Sequence, residues 1–307
     1  MPIFFDESDI VLPTALDTVP VQRSVQGQVA DWQDDQVVAE VPVALVFNGI
    51  SHAVMMCTPQ DLPAMALGFA LSEGIIDRAA DCYDMELVTV DACAPAHAAA
   101  PVFTAPDLPA VEVRLEIASS AFMRLKEQRR SLAGRSGCGV CGIDNLQALD
   151  MLPPQQQRPA WLAQVDVLTL FKAMAAMPAQ QHLNKATGAV HAAGFASPEG
   201  ELIAVYEDVG RHNALDKLLG ARAQALAARA SHPERALGLH GQPWPDEGFV
   251  VMSSRASYEL VRKCSRLGIP LLATISAPTS LAIQVAKTAG LQLWGLVRAP
   301  RAVRYTL

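Results

Sequence analysis

The stretch FVVMSSRASYELVRKCSRLGIPLLATISAPTSLAIQVAKTAGLQLWGLV, from Phe249 to Val297, decides the fold. Apolar runs of strand length at Phe249–Met252, Leu271–Ile275 and Leu291–Val297 alternate with two segments of helical spacing, Tyr258–Leu267 and Leu281–Ala289. That alternation predicts an α/β sheet with helical crossovers. The first two runs lack polar alternation, which predicts strands buried on both faces. Upstream, the pattern extends back to Gly188 through strands at Ala189–Ala196 and Leu202–Tyr206 and a helix from about Val209. A further helix is expected over Leu168–Met177, so an α/β domain is predicted across 151–307.

The amino-terminal part reads differently. Val41–Phe47 and Ser51–Met56 flank Asn48-Gly49, the strongest short signal for a hairpin. Thr58-Pro59 is expected to open a helix, with Thr58 as its cap, Leu62, Met65, Ala66 and Phe69 on one face, and Gly74 at its stop. Met85–Val90 and Val111–Ile117 read as strands bracketing an exposed Ala/Pro-rich insertion, Ala92–Ala110, in which Cys93 and His97 are incidental. The expected organisation is an irregular arm over 1–38, a smaller α+β portion over 39–135, a mobile loop over 136–150, and the α/β domain over 151–307.

Composition narrows the class. Half of the 307 residues are hydrophobic (51%) and 18% are charged, which excludes bulk disorder. No apolar run approaches the roughly 18 residues a membrane helix needs, and the acidic start MPIFFDESDIVLP lacks a basic leader, so a soluble cytoplasmic protein is expected. A net charge of −7 argues against general nucleic-acid binding while leaving room for a local basic patch.

Three places could carry chemistry. The strand-to-helix junctions Ser253-Ser254-Arg255-Ala256-Ser257 and Ser276-Ala277-Pro278-Thr279-Ser280 put hydroxyls and free backbone N–H groups beyond the carboxyl ends of buried strands, where α/β sheets take anionic ligands. Plain helix capping is the competing explanation. The cluster Glu207-Asp208-Val-Gly-Arg211-His212-Asn213, continued by Asp216-Lys217, reads either as a solvated helix face or as the floor of a site, with His212 and Asn213 as candidate ligand contacts. His191, alone in an apolar strand, reads as a hydrogen-bonded core residue.

The third place is Arg135-Ser-Gly-Cys138-Gly-Val-Cys141-Gly142, a dithiol flanked by Gly137, Gly139 and Gly142 and preceded by Arg124, Lys126, Arg129 and Arg130. Nearby positive charge favours the thiolate, which is the reactive form. No second paired-cysteine or paired-histidine motif completes a zinc set, so no metal ligands are assigned. Thioredoxin-like redox chemistry stays open, and a sulfur-carrying cysteine on a flexible loop suits the glycines best. Cys57 and Cys264 sit in apolar contexts and are expected in the core.

SGCGVCG, YEDVGRHNALDKLLG, SSRASYELV, GIPLLATISAPTSLA and GLVRAPRAVRYT together resemble the formate dehydrogenase accessory sulfurtransferases, the FdhD family. The resemblance runs from about Glu40 to Thr306. It implies a cytidine-deaminase-like mixed-sheet domain with a smaller N-terminal α+β subdomain, and a homodimer. It implies a sulfurtransferase that accepts sulfur from a cysteine desulfurase as a persulfide on Cys138, with Cys141 as partner. The sulfur would pass to the molybdenum bis-guanine dinucleotide cofactor, bound as a substrate, for formate dehydrogenase, and GDP-like ligands would occupy the same site. The segment Leu296-Val297-Arg298-Ala299-Pro300-Arg301 matches the family's cofactor-binding stretch, and Ser254, Arg255, Thr279 and Ser280 fall beside it. Where the family usually has glycine before the last arginine, this chain has Pro300.

Overall fold

The computed structural model describes residues 11–91, 109–130 and 155–307. The Ala92–Ala110 insertion, apart from its last two residues, and the 136–150 loop with Cys138 and Cys141 lie outside them. Among the described residues, twelve strands and seven α-helices form three sheets of mixed α/β architecture.

The chain enters through β1 (Leu16–Val25) and β2 (Gln28–Val38), an antiparallel ribbon. An irregular arm was expected over 1–38; residues 16–38 instead form this hairpin. Its two-residue turn, Gln26-Gly27, has φ of 50° and 81°. Both ribbon faces are largely exposed, so no period-two apolar pattern marks the strands, and Pro20 interrupts what pattern there is.

Strands β3 (Val41–Phe47) and β4 (Ile50–Cys57) form the hairpin that Asn48-Gly49 announced, with φ of 45° and 78° at its two turn residues. They join β5 (Cys82–Asp91) and β6 (Pro109–Ile117) in a four-stranded sheet of order β4-β3-β6-β5. Helices α1 (Leu62–Ser72) and α2 (Ser119–Arg130) cover it, and Val43, Leu45, Phe47, Met65, Val113 and Leu125 lie in their common core. Helix α1 begins three residues later than expected, after Asp61 in left-handed backbone (φ 55°). Thr58 is not its cap, because its groups face another element, described below.

The second core belongs to a six-stranded sheet of order β12-β11-β10-β9-β7-β8. Its strands are β7 (His191–Ala196), β8 (Leu202–Asp208), β9 (Phe249–Met252), β10 (Leu271–Thr274), β11 (Gln292–Arg298) and the unforeseen β12 (Arg301–Arg304). β9, β10 and β11 run parallel, whereas β7, β8 and β12 pair antiparallel to their neighbours. Every residue of β9 and β10 is buried. Helices α5 (Arg211–Ala228), α6 (Tyr258–Arg266) and α7 (Ser280–Ala289) pack on one face, and α3 (Val167–Gln180) on the other. The short α4 (His182–Thr187), also unforeseen, precedes β7 and ends at Gly188, whose φ of 67° supplies the left-handed stop.

The two cores meet along α1 and α5. A Cβ added at Gly68 would collide with the Asp216 carbonyl oxygen, and one at Gly220 with that of Ala64. Only hydrogen at these two positions lets the backbones cross so closely.

Candidate functional site at the carboxyl edge of the six-stranded sheet

Strand directions gather the predicted residues. β8, β9, β10 and β11 all point the same way, because β7 is antiparallel to both β8 and β9. Their carboxyl ends, with the amino ends of β7 and β12, therefore form one edge. It carries His191, the start of α5 with Arg211 and His212, the Ser253–Ser257 and Ser276–Ser280 junctions, and the turn from Arg298 to Arg301.

Backbone bonds fix these loops to one another. The Ser253 N–H donates to Ala192 C=O (3.0 Å), and its hydroxyl accepts from Ala192 N–H (2.7 Å). Thr279 N–H donates to Ala256 C=O (3.0 Å), so the two junctions are joined. Leu296 N–H donates to Ser276 C=O (3.3 Å), tying the end of β11 to the second junction. Leu296 has a φ of 54°, and Arg298 pairs in register with Arg301 across Ala299 and the cis Pro300. The edge is a set of cross-braced loops rather than separate turns.

Not every predicted contact is available for a ligand. Ser254 is buried and its hydroxyl donates to the Arg255 carbonyl (3.1 Å). The Thr279 hydroxyl caps α7 by accepting from Ala282 N–H (3.2 Å), so capping accounts for that side chain. Val297 is buried in the core against α3. Ser280, Arg255, Arg298, Ala299, Pro300 and Arg301 are exposed. The guanidinium groups of the three arginines have no hydrogen-bond or ion-pair partner among the described residues, in a chain of net charge −7. Guanidiniums without partners among the described residues, one ahead of α6 and two in the β11–β12 turn, suit a phosphate-bearing ligand in charge and in hydrogen-bond geometry.

The Glu207–Lys217 cluster divides into two roles. Asp208 and Lys217 are fully buried and 2.7 Å apart. Asp208 also accepts from Thr58 N–H (3.0 Å), Gly210 N–H (2.8 Å) and the Asn213 amide (2.9 Å). Lys217 donates to the carbonyls of Thr58 (3.2 Å) and Glu207 (3.1 Å), while Val209 N–H donates to the Thr58 hydroxyl (3.2 Å). Asn213 further donates to Met56 C=O (2.8 Å). Asn213, predicted as a ligand contact, is thus spent holding the β4–α1 connection against α5. His212 faces the other way. Its side chain is 30% exposed, and its Nε2 lies 3.2 Å from Glu259 on α6. Glu259 was not singled out in the sequence; only its position in the first turn of α6, beside the serine junction, could have flagged it.

His191 is half-buried at this edge rather than in the core, opposite Asp208 in the β7–β8 register. Burial, then the charges of Arg211 and His212, push its imidazole below the usual value, with Asp208 working in the opposite direction. Burial presses the Glu259 carboxyl upward, but its hydrogen bond with His212 and the charges of His212 and Arg211 outweigh this and hold it below the carboxylate range.

The described cysteines are poor nucleophiles. Cys57, Cys82 and Cys264 are free, buried thiols, as expected for the first and last. Burial pushes Cys82 up to about 12 and raises Cys57 and Cys264 further. No group of three or more His, Cys, Asp or Glu residues among those described could hold a metal ion, and no described helix is long and apolar enough to cross a membrane.

Comparison with known proteins agrees with this architecture. The FdhD/NarQ family model matches residues 38–307. A sulfur carrier protein FdhD from Chromobacterium violaceum is 50% identical over 290 residues, covering 94% of each chain. Its namesake from Burkholderia cenocepacia is 49% identical over 287 residues, covering 94% of this chain and 92% of its own. A crystal structure from Desulfotalea psychrophila, described as a formate dehydrogenase accessory protein, superposes with a TM-score of 0.61 at 20% identity, covering 95% of this chain and 97% of that one. That likeness bears on the fold alone. The chain belongs to the FdhD/NarQ family.

Proposed function

We propose that the protein is a sulfur carrier in formate dehydrogenase maturation, with Cys138 as the carrying residue and Cys141 beside it. The observation that carries this reading is the cross-braced edge, where Arg255, Arg298 and Arg301 have no side-chain partner among the described residues, together with relatives named as sulfur carrier proteins. In loading, the Cys138 thiolate attacks the terminal sulfur of a persulfide on a cysteine desulfurase. The donor S–S bond breaks, the donor thiolate leaves, and Cys138 holds the sulfane sulfur. The acceptor is a molybdenum cofactor of the bis-guanine dinucleotide type, held as substrate through its phosphates by the arginines and by the free N–H groups at the starts of α6 and α7. The mixed sheet reads as cytidine-deaminase-like, without metal ligands among the described residues. In support, the described thiols are buried with raised pKa values, which leaves sulfur loading to a cysteine elsewhere in the chain.

The test is mass spectrometry after incubation with a cysteine desulfurase and cysteine. A dithiothreitol-labile gain of one sulfur is expected on the peptide containing Cys138, lost in Cys138→Ala and retained when Cys57, Cys82 and Cys264 are replaced singly by alanine. Sulfur found on Cys141 alone, or loading that survives Cys138→Ala, would overturn the assignment.

A further inference from the structure

No residue of the β1–β2 ribbon lies in the hydrophobic cores. Its root is tied where Ala39 N–H donates to Ala15 C=O (3.0 Å), and β2 packs against α4. Both faces are otherwise largely exposed along strands of ten and eleven residues, a length of roughly 35 Å at about 3.3 Å per residue. Trp32 is 67% exposed, and Val25 and Val29 are exposed to a similar extent. The ribbon carries Asp17, Asp31, Asp34 and Asp35 against Arg23 alone, a net charge of −3. Arg23 pairs with Asp35 (3.0 Å), whereas Asp31 and Asp34 have no ion-pair partner among the described residues. Register sets Trp32 opposite Gln22 and Asp34 opposite Pro20, so the indole and a carboxylate share one face. An exposed indole beside carboxylates, on an arm that contributes nothing to a core, has the make-up of a protein contact surface.

The ribbon's place in the fold points to its partner. Glu207, at the carboxyl end of β8, accepts from Leu183 N–H (2.8 Å) and Asn184 N–H (2.9 Å) and so fixes α4 to that end of the sheet. Through α4 the ribbon stands at the β8 end of the edge. The ligand read for this edge bears several phosphates. An enzyme that receives it must hold those phosphates with cations at the mouth of its own pocket. At hand-over that mouth faces the arginines of the edge, and cations on both sides repel. An acidic element beside the edge offsets the repulsion and gives the acceptor a complementary surface.

We propose that the β1–β2 ribbon, through Trp32, Asp31 and Asp34, is the docking arm for the apoenzyme that takes the ligand, and that it seats on the cationic mouth of that enzyme's cofactor pocket. The proposal rests on the reading of the edge as a phosphate-ligand site in formate dehydrogenase maturation, and it adds the surface on which the acceptor lands. Residues 16–37 lie ahead of the stretch that the family model matches, so the arm can be altered without touching that stretch.

The experiment measures binding of the full chain to cofactor-free formate dehydrogenase by biolayer interferometry at low and high salt. The parent chain is expected to bind, with an affinity that falls as salt rises. Trp32→Ala combined with Asp31→Asn and Asp34→Asn is expected to weaken binding by about tenfold or more, with GDP affinity and the urea midpoint unchanged. Asp31→Asn with Asp34→Asn alone keeps side-chain size and the indole, and is expected to flatten the salt dependence. Apoenzyme binding at the parent affinity in the triple variant would overturn the proposal, as would a salt dependence untouched by the double variant. So would a fall in the oligomeric mass of the free chain with apoenzyme binding intact, which would give the ribbon to a second copy. The reading of the edge fails separately, if GDP does not bind the parent chain while the ribbon variants still lose the apoenzyme.

Discussion

The seam between the two cores and the carboxyl edge of the large sheet both use charged residues, to opposite ends. At the seam the described charges are matched. Lys217 meets Asp208, while Lys263 meets Asp216 (2.8 Å) and Glu73 (2.9 Å), and Arg262 bonds Glu73 as well. The Ser72 hydroxyl donates to Asp216 (2.8 Å) and accepts from Lys263 (2.8 Å). Burial works against the charge on Lys263, but Asp216 and Glu73 outweigh it and hold the ammonium protonated. At the edge, Arg211, Arg255, Arg298 and Arg301 have no such partners among the described residues. Buried charges need partners within the chain; cations at the edge without partners among the described residues are open to a ligand. One stretch, Glu207–Lys217, supplies both kinds within eleven residues.

The comparison is broken most forcefully at the seam. Lys217→Met leaves Asp208 buried and uncompensated, and a loss of about 3–5 kcal/mol of stability is expected in urea unfolding. A loss below 1 kcal/mol would mean the pair does not hold the cores together. Gly68→Ala and Gly220→Ala force α1 and α5 apart; overpacking of this kind costs about 1–3 kcal/mol, and more where backbone blocks relaxation. Unfolding midpoints equal to the parent protein would show that the close crossing is not needed.

Acid should reach the seam through Glu73. Burial raises its carboxyl, yet Lys263 and Arg262 overcome this and depress it to about 2. A depressed folded value contributes stability that is present above the unfolded value of about 4.3. That contribution fades as pH falls from there towards 2. Glu73→Gln is expected to flatten the stability profile in that window while leaving the edge's ligand affinity unchanged at neutral pH. A profile as steep as the parent's would remove Glu73 from the acid response.

Much of this division was hidden in the sequence for a physical reason. Sequence spacing showed that Asn213 and His212 are adjacent on one helix, but neighbours on a helix point about 100° apart. One turned into the seam and the other to the edge. The β9 and β10 strands were legible because both faces are buried, so the whole run is apolar. The β1–β2 ribbon was not, because neither face is buried and its turn is Gln26-Gly27 rather than Asn-Gly. Thr58 looked like a helix cap because threonine before proline usually is one; its partners lie some 150 residues away at Asp208 and Val209. The family resemblance supplied Arg298 and Arg301, which no local pattern distinguishes from other surface arginines. His191 and Glu259 depend on which strands and helices end at the same edge, a fact of topology that appears only once the chain is folded.

The central claim, that cations at the edge without partners among the described residues serve a ligand while paired ones at the seam serve the fold, is tested most directly by calorimetry with GDP. Arg255→Ala combined with Arg301→Ala should abolish measurable heat, since each charge-assisted contact contributes roughly 1.5–3 kcal/mol, and should leave the urea midpoint of the protein unchanged. GDP binding at the parent affinity in the double variant, or a double variant that binds weakly only because it has lost stability, would contradict the division of charge on which the account depends.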